Sequence, residues 1–173
     1  MGTYLDAAER LTAAVDAVSD WDAASACEGW SAADVIDHVI TAQRGLLSRA
    51  ELDPGERPEG DPKAQWAAHL AVMRPLAQDD AALAREVAGP FGPSTVGALL
   101  NGLLGFENLV HAWDLGPANG QPVAFTDAEL DVIDALTANL PDASYDRGAF
   151  KRLPGAADAD RQTALLARIG RAA

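Results

Sequence analysis

The chain has 173 residues, 49% of them apolar and 23% charged, which suits one globular domain spanning residues 1–173 and excludes a disordered chain. Its net charge of −13 repels phosphate backbones and argues against nucleic-acid binding. No run approaches the roughly 18 uninterrupted apolar residues of a membrane helix, and Met1-Gly2-Thr3-Tyr4-Leu5-Asp6 has no export-signal pattern, so a cytoplasmic protein off the membrane is expected.

Leu5, Ala8, Leu11, Thr12, Val15 and Val18 recur at helical spacing and predict a first amphipathic helix over about 3–18. A loop follows through Trp21, Cys27 and Trp30. Ser31 with Asp34 three residues on is a capping-box pattern that opens a second helix, with Val35, His38, Val39, Ala42 and Leu46 along one stripe. His38 therefore falls where core residues fall. Residues 52–62 carry prolines, glycines and charges and read as loop; Pro62 suits the first turn of a third helix through Trp66, Leu70 and Met73, with Pro75 as a kink or stop.

Residues 79–93 resist assignment and end in the breaker Gly89-Pro90-Phe91-Gly92-Pro93. A long fourth helix is expected from about Thr95, with Leu100, Leu104, Glu107, His111 and Asp114 on one stripe, stopping at Gly116-Pro117. Thr126 and Glu129 mark a fifth helix to about Leu140. A loop with Gly148, Pro154 and Gly155 leads to a short last helix over about 160–169. No strand-length alternation stands out. The expectation is an all-α four-helix bundle with crossover connections and short additional C-terminal helices.

Three ligand-type residues thus lie on core-facing stripes: His38, Glu107 and His111. Residues four apart share a helix face, so Glu107 and His111 can aim at one point. An unpaired buried carboxylate costs several kcal/mol, and a divalent metal is one partner that would relieve it. Two imidazoles and one carboxylate would leave a coordination position open, as catalytic zinc sites do. On spacing alone a surface hydrogen bond between the helical pair is the competing reading.

The stretch Cys27-Glu28-Gly29-Trp30-Ser31-Ala32-Ala33-Asp34-Val35-Ile36-Asp37-His38 resembles the first motif of DinB-like metalloproteins, and more narrowly of the N-terminal domain of mycothiol-dependent maleylpyruvate isomerase. Glu107 to His111 with Trp113-Asp114 is similar to that family's second motif. The tail, Gly148-Ala149-Phe150 and Ala159-Asp160 through Gly170-Arg171, resembles its single-domain branch. The resemblance implies a divalent metal, usually zinc and alternatively Ni2+, held by His38, Glu107 and His111, with mycothiol or a related thiol as cosubstrate. It implies a thiol-dependent transferase or isomerase acting on a small electrophilic substrate, in which a metal-bound water or thiolate does the chemistry. A homodimer is also an expectation from the resemblance. The two-domain isomerase carries a further C-terminal domain that supplies substrate contacts, so maleylpyruvate isomerisation itself is not implied. A metal-dependent lyase or cyclase of secondary metabolism without a thiol, and a non-catalytic metal or small-ligand binding protein, stand as the alternatives.

Asp114 falls on the same face as Glu107 and His111 and is a candidate to accept the outer ring N–H of a ligating histidine, or else to bond a neighbouring loop. Trp30 and Trp113 flank the two motifs as candidate pocket walls. Cys27 has no adjacent base in the sequence and is expected to pack. Trp21 and Trp66 are expected in the core, His69 as a partly exposed structural histidine, and Arg44 facing solvent.

Overall fold

A computed structural model describes residues 3–120, 123–138, 140–146, 150–154 and 158–172. They fall into two compact units, residues 3–122 and residues 123–173, described separately below. The fold is mostly helical, as the periodicity predicts.

In the first unit, helix α1 (Tyr4–Ala17) begins at a capping box: the Thr3 hydroxyl accepts from the Asp6 backbone N–H, and the Asp6 carboxylate accepts from the Thr3 N–H at 2.7 Å. Helix α2 (Ala32–Arg49) begins the same way at Ser31 and Asp34, with bonds of 2.8 and 3.2 Å. Helix α3 (Pro62–Leu76) has Asp61 as its cap and Pro62 in its first turn, and Pro75 sits in its last turn. Each presents one apolar stripe. Tyr4, Leu11 and Val15 from α1, Val35, Ile36, Val39 and Ile40 from α2, and Trp66, Leu70 and Met73 from α3 are buried in one core.

After the one-turn helix α4 (Asp80–Leu83) comes a small antiparallel hairpin, strands β1 (Glu86–Gly89) and β2 (Gly92–Thr95), paired Glu86 to Thr95 through Gly89 to Gly92. The sequence offers no alternating run here, because only Val87 of β1 is buried and the turn is built from Pro90 and Phe91. Just before the hairpin, the Arg85 guanidinium donates to the carbonyls of Ala50 and Glu51 at 2.8 and 2.9 Å, satisfying acceptors at the end of α2. Glu51 itself has φ of 54°, the left-handed turn that commonly ends a helix.

The expected fourth helix is one rod in three parts: α5 (Val96–Leu99), a π-helical turn (Leu100–Leu104), and α6 (Gly105–Asp114). The wide turn is held by Asn101, whose carbonyl oxygen accepts from the Tyr4 N–H at 2.9 Å and whose amide donates to the Gly97 carbonyl. Helix α1 packs chiefly on α6 and α3, and α2 packs on α3 and α6. Consecutive helices α1 and α2 therefore stand diagonally across the bundle, and so do α3 and α6. That is a crossover bundle rather than an up-and-down one.

The second unit contains α7 (Asp127–Thr137), the short α8 (Asp142–Asp146) and α9 (Arg161–Arg168). The Thr126–Glu129 capping box opens α7 as its spacing predicts, and Asp160 caps α9. Residues 142–146, expected as loop, form the one-turn α8. Helices α7 and α9 pack together through Leu130, Ile133, Leu165 and Leu166, laced by Arg161–Asp131 and Arg168–Asp134 ion pairs. Gly148 and Ala149, quoted for the tail resemblance, and Gly155 of the expected loop lie outside the described residues. Among the described residues no helix is long and apolar enough to cross a membrane.

Candidate metal centre

The capping box at Ser31 starts α2 seven residues before His38, and α6 carries Glu107 and His111 one turn apart. The π turn lies directly before α6, so the register of Glu107 and His111 follows that wider turn and not a straight helix. Across the gap between these helices the imidazoles of His38 and His111 meet edge to face, with ring centroids 5.2 Å apart and planes at 71°. Two imidazoles that share a tetrahedral zinc through bonds of about 2.0 Å hold their centroids about 5 Å apart, so this separation fits a common ion.

His111 is buried, and its ring is held from one side. Its Nδ1 lies 2.9 Å from Asp114 Oδ2, and Asp114 is fully buried. A carboxylate accepts, so Nδ1 carries the proton and Nε2 keeps its lone pair. Asp114 also meets the loop between α1 and α2. Its backbone carbonyl accepts from the Ala26 N–H at 2.8 Å, and its Oδ2 accepts from the Cys27 thiol at 3.1 Å. Asp114 thus bonds both a histidine on its own helix and a neighbouring loop.

Glu107 is half-buried. Burial pushes its carboxyl pKa above the ordinary range, and the neighbouring His111 pulls in the opposite direction. A desolvated carboxylate beside an imidazole is a pair of donors that a divalent cation would stabilise. Among the described residues one three-donor group brings its donor atoms within 4.8 Å of one another, and it is a different one: Cys27, His111 and Asp114. The donor atoms of His38, Glu107 and His111 stand farther apart than that. The contacts of 2.9 and 3.1 Å between Asp114 and its two neighbours are hydrogen bonds, which hold His111 in orientation.

Trp30 is 36% exposed and lies against His38, ring centroids 5.0 Å apart, while Trp113 is buried. The Trp30 loop is rigidly tied: Ala24 and Ser31 form a β-bridge, and the Trp30 carbonyl accepts from both the N–H and the hydroxyl of Ser25.

Behind the site runs a polar network that sequence patterning does not reveal. Gln43 Oε1 accepts from the Tyr4 hydroxyl at 2.6 Å and from His69 Nε2 at 3.0 Å, while its amide donates to Asn108 Oδ1 at 2.9 Å. One glutamine side chain therefore links α1, α2, α3 and α6. His69 is fully buried, not partly exposed as expected: Gln43 Oε1 partners its Nε2 inside the core, while its Nδ1 is buried with no hydrogen-bond partner among the described residues. Burial, with a smaller push from Arg44 and Arg57, lowers its pKa to about 4, and burial raises that of Tyr4. Arg44 also departs from expectation. It is half-buried and donates to the carbonyls of Pro54, Gly55 and Glu56, closing the loop after α2. Trp66 is buried with its indole N–H donating to Thr12 at 2.9 Å, while Trp21 is half-buried against the core.

Residues 4–80 match the family model of the mycothiol maleylpyruvate isomerase N-terminal domain, which bears out the resemblance read from the sequence. That stretch holds α1 to α3 and the first motif with His38; Glu107 and His111 lie beyond it. Two uncharacterised proteins of Mycobacterium tuberculosis, from strains CDC 1551 / Oshkosh and ATCC 25618 / H37Rv, are each 32% identical to this chain over 108 residues. The match spans 61% of this chain and 58% of each relative. No solved structure matches the chain significantly.

Proposed function

We propose, from the match of residues 4–80 to the mycothiol maleylpyruvate isomerase N-terminal domain, that this protein binds a divalent metal through His38, Glu107 and His111 and uses it to engage a low-molecular-weight thiol. The reading takes zinc as the metal, mycothiol or a related thiol as cosubstrate, and transfer or isomerisation of a small electrophile as the reaction class. The observation that carries it is the edge-to-face pair His38 and His111, with centroids 5.2 Å apart.

When bound, such a metal supplies Lewis acidity that holds a thiol as thiolate at neutral pH. The chain's own residues do the rest. Asp114 holds the proton on His111 Nδ1 and keeps Nε2 free to ligate. Trp30 covers the outer side of His38 and narrows the approach of water while offering an apolar face to the substrate. Glu107 brings the negative charge that makes the donor set selective for a cation. The proposal also treats residues 1–173 as a single domain, located in the cytoplasm. A single transition in both thermal and urea unfolding supports the one-domain reading, and two resolved transitions contradict it.

Calorimetric titration of zinc-loaded protein with mycothiol, repeated after chelation, tests the functional reading. Saturable heat that chelation removes is the expected result. Zinc-loaded protein that ignores mycothiol and every other bacterial thiol tried overturns the thiol assignment.

A further inference from the structure

Cys27 lies 87 residues before Asp114 in sequence, yet its thiol points at the same carboxylate oxygen that His111 uses. Cys27 Sγ is 3.1 Å and His111 Nδ1 is 2.9 Å from Asp114 Oδ2. One oxygen thus accepts two hydrogen bonds, one from the thiol and one from the imidazole. A second donor on a carboxylate oxygen narrows the rotation that one donor alone leaves open. The Ala26 N–H bond to the Asp114 carbonyl adds a backbone anchor beside the thiol. The loop so pinned also carries Trp30, which packs on His38. Cys27 therefore stands at the joint between the loop leading into α2 and the end of α6.

We infer that Cys27 is a positioning residue: its thiol, as a hydrogen-bond donor to Asp114, fixes the carboxylate that orients the ring of His111. This rests on the proposed role of His111 as a ligand only for its effect on metal affinity. The effect on the ring itself stands on the hydrogen bonds alone. A packing role is the competing account, since Cys27 also lies partly buried against the core. The two accounts make opposite predictions for two substitutions. Cys27→Ser keeps a donor and sacrifices apolar volume, while Cys27→Val keeps volume and removes the donor.

The test has two readouts on full-length wild type, C27S and C27V. In the metal-free proteins, the ring signals of His111 report how firmly the imidazole is held. All three proteins should keep the Nδ1–H tautomer; wild type and C27S should show one sharp set of signals with a slowly exchanging Nδ1 proton, and C27V a broadened set with faster exchange of that proton. In competition titrations with a chromophoric chelator, C27V should bind zinc ~10-fold or more weakly, with C27S close to wild type. C27V matching wild type in line width and proton exchange overturns the inference, as does C27S failing alongside C27V. Loss of all zinc binding in both variants also overturns it, because Cys27 would then be a ligand. If wild type binds no zinc but the ring signals behave as stated, the metal reading fails and the positioning role stands.

Discussion

Asp114 Oδ2 sits 2.9 Å from His111 Nδ1, three residues away on the same helix, and Asp114 is fully buried. A bare carboxylate does not tolerate such a place, and here it is stabilised by N–H and S–H donors that converge on one oxygen. The consequence for His111 is a defined ring: one nitrogen committed to the protein, the other free to bind. The candidate centre is therefore built from the inside outward, from the buried acid to the histidine to the half-buried gap shared with His38.

The Gln43 hub predicts a large stability effect from a residue that touches none of the candidate ligands. Gln43→Leu leaves the Tyr4 hydroxyl, His69 Nε2 and Asn108 Oδ1 buried without their partner. The expected loss in urea unfolding is about 3 kcal/mol, against about 1 kcal/mol for Tyr4→Phe, which removes one donor and leaves Gln43 bonded to His69. Equal losses for the two variants would contradict the hub.

His69 predicts an acid-side loss of stability. Its folded pKa, near 4, lies below the unfolded value of 6.5, so the unfolded chain takes up the proton first as pH falls. The stability this neutral histidine contributes is present above about pH 6.5 and is lost between there and about pH 4, amounting to about 3 kcal/mol. Urea unfolding at pH 7 and pH 4.5 should show His69→Gln with a flatter pH dependence than wild type. An identical slope would mean the ring is not held neutral in the fold.

The start of α2 predicts a smaller, local effect. Ser31→Ala removes the hydroxyl that caps the Asp34 N–H, and should lower stability by about 1 kcal/mol in thermal unfolding, with Ser31→Thr restoring most of it. No change on Ser31→Ala would show that the box is not a stabilising cap.

What the sequence makes legible here is local. Ser31 with Asp34 and Thr126 with Glu129 are three-residue patterns, and both form the caps their spacing predicts. Pro62 and Gly116-Pro117 likewise bound their helices. The hairpin is hidden because its strands span four residues each and carry Gly and Pro in place of an alternating pattern. The π turn is hidden because it is a change of hydrogen-bond geometry held by Asn101 against Tyr4, a contact between distant residues. His69, Gln43 and Asn108 look like polar interruptions of apolar stripes, and only their meeting in the core shows that Gln43 bonds both of the others. The Cys27–Asp114 contact is long-range in the same way. The two motifs bring His38, Glu107 and His111 to notice, with Asp114 as a candidate partner, but the thiol bond to that acid emerges only from the fold.

The central claim is that His38, Glu107 and His111 hold a divalent metal, and zinc stoichiometry tests it most directly. Protein loaded with zinc, freed of excess metal and measured by elemental analysis should carry about one ion per chain in wild type and in His69→Gln. His38→Ala, Glu107→Ala and His111→Ala should each carry almost none while retaining helical circular dichroism. Unchanged zinc content in folded His111→Ala, or loss of zinc in folded His69→Gln, would contradict the account.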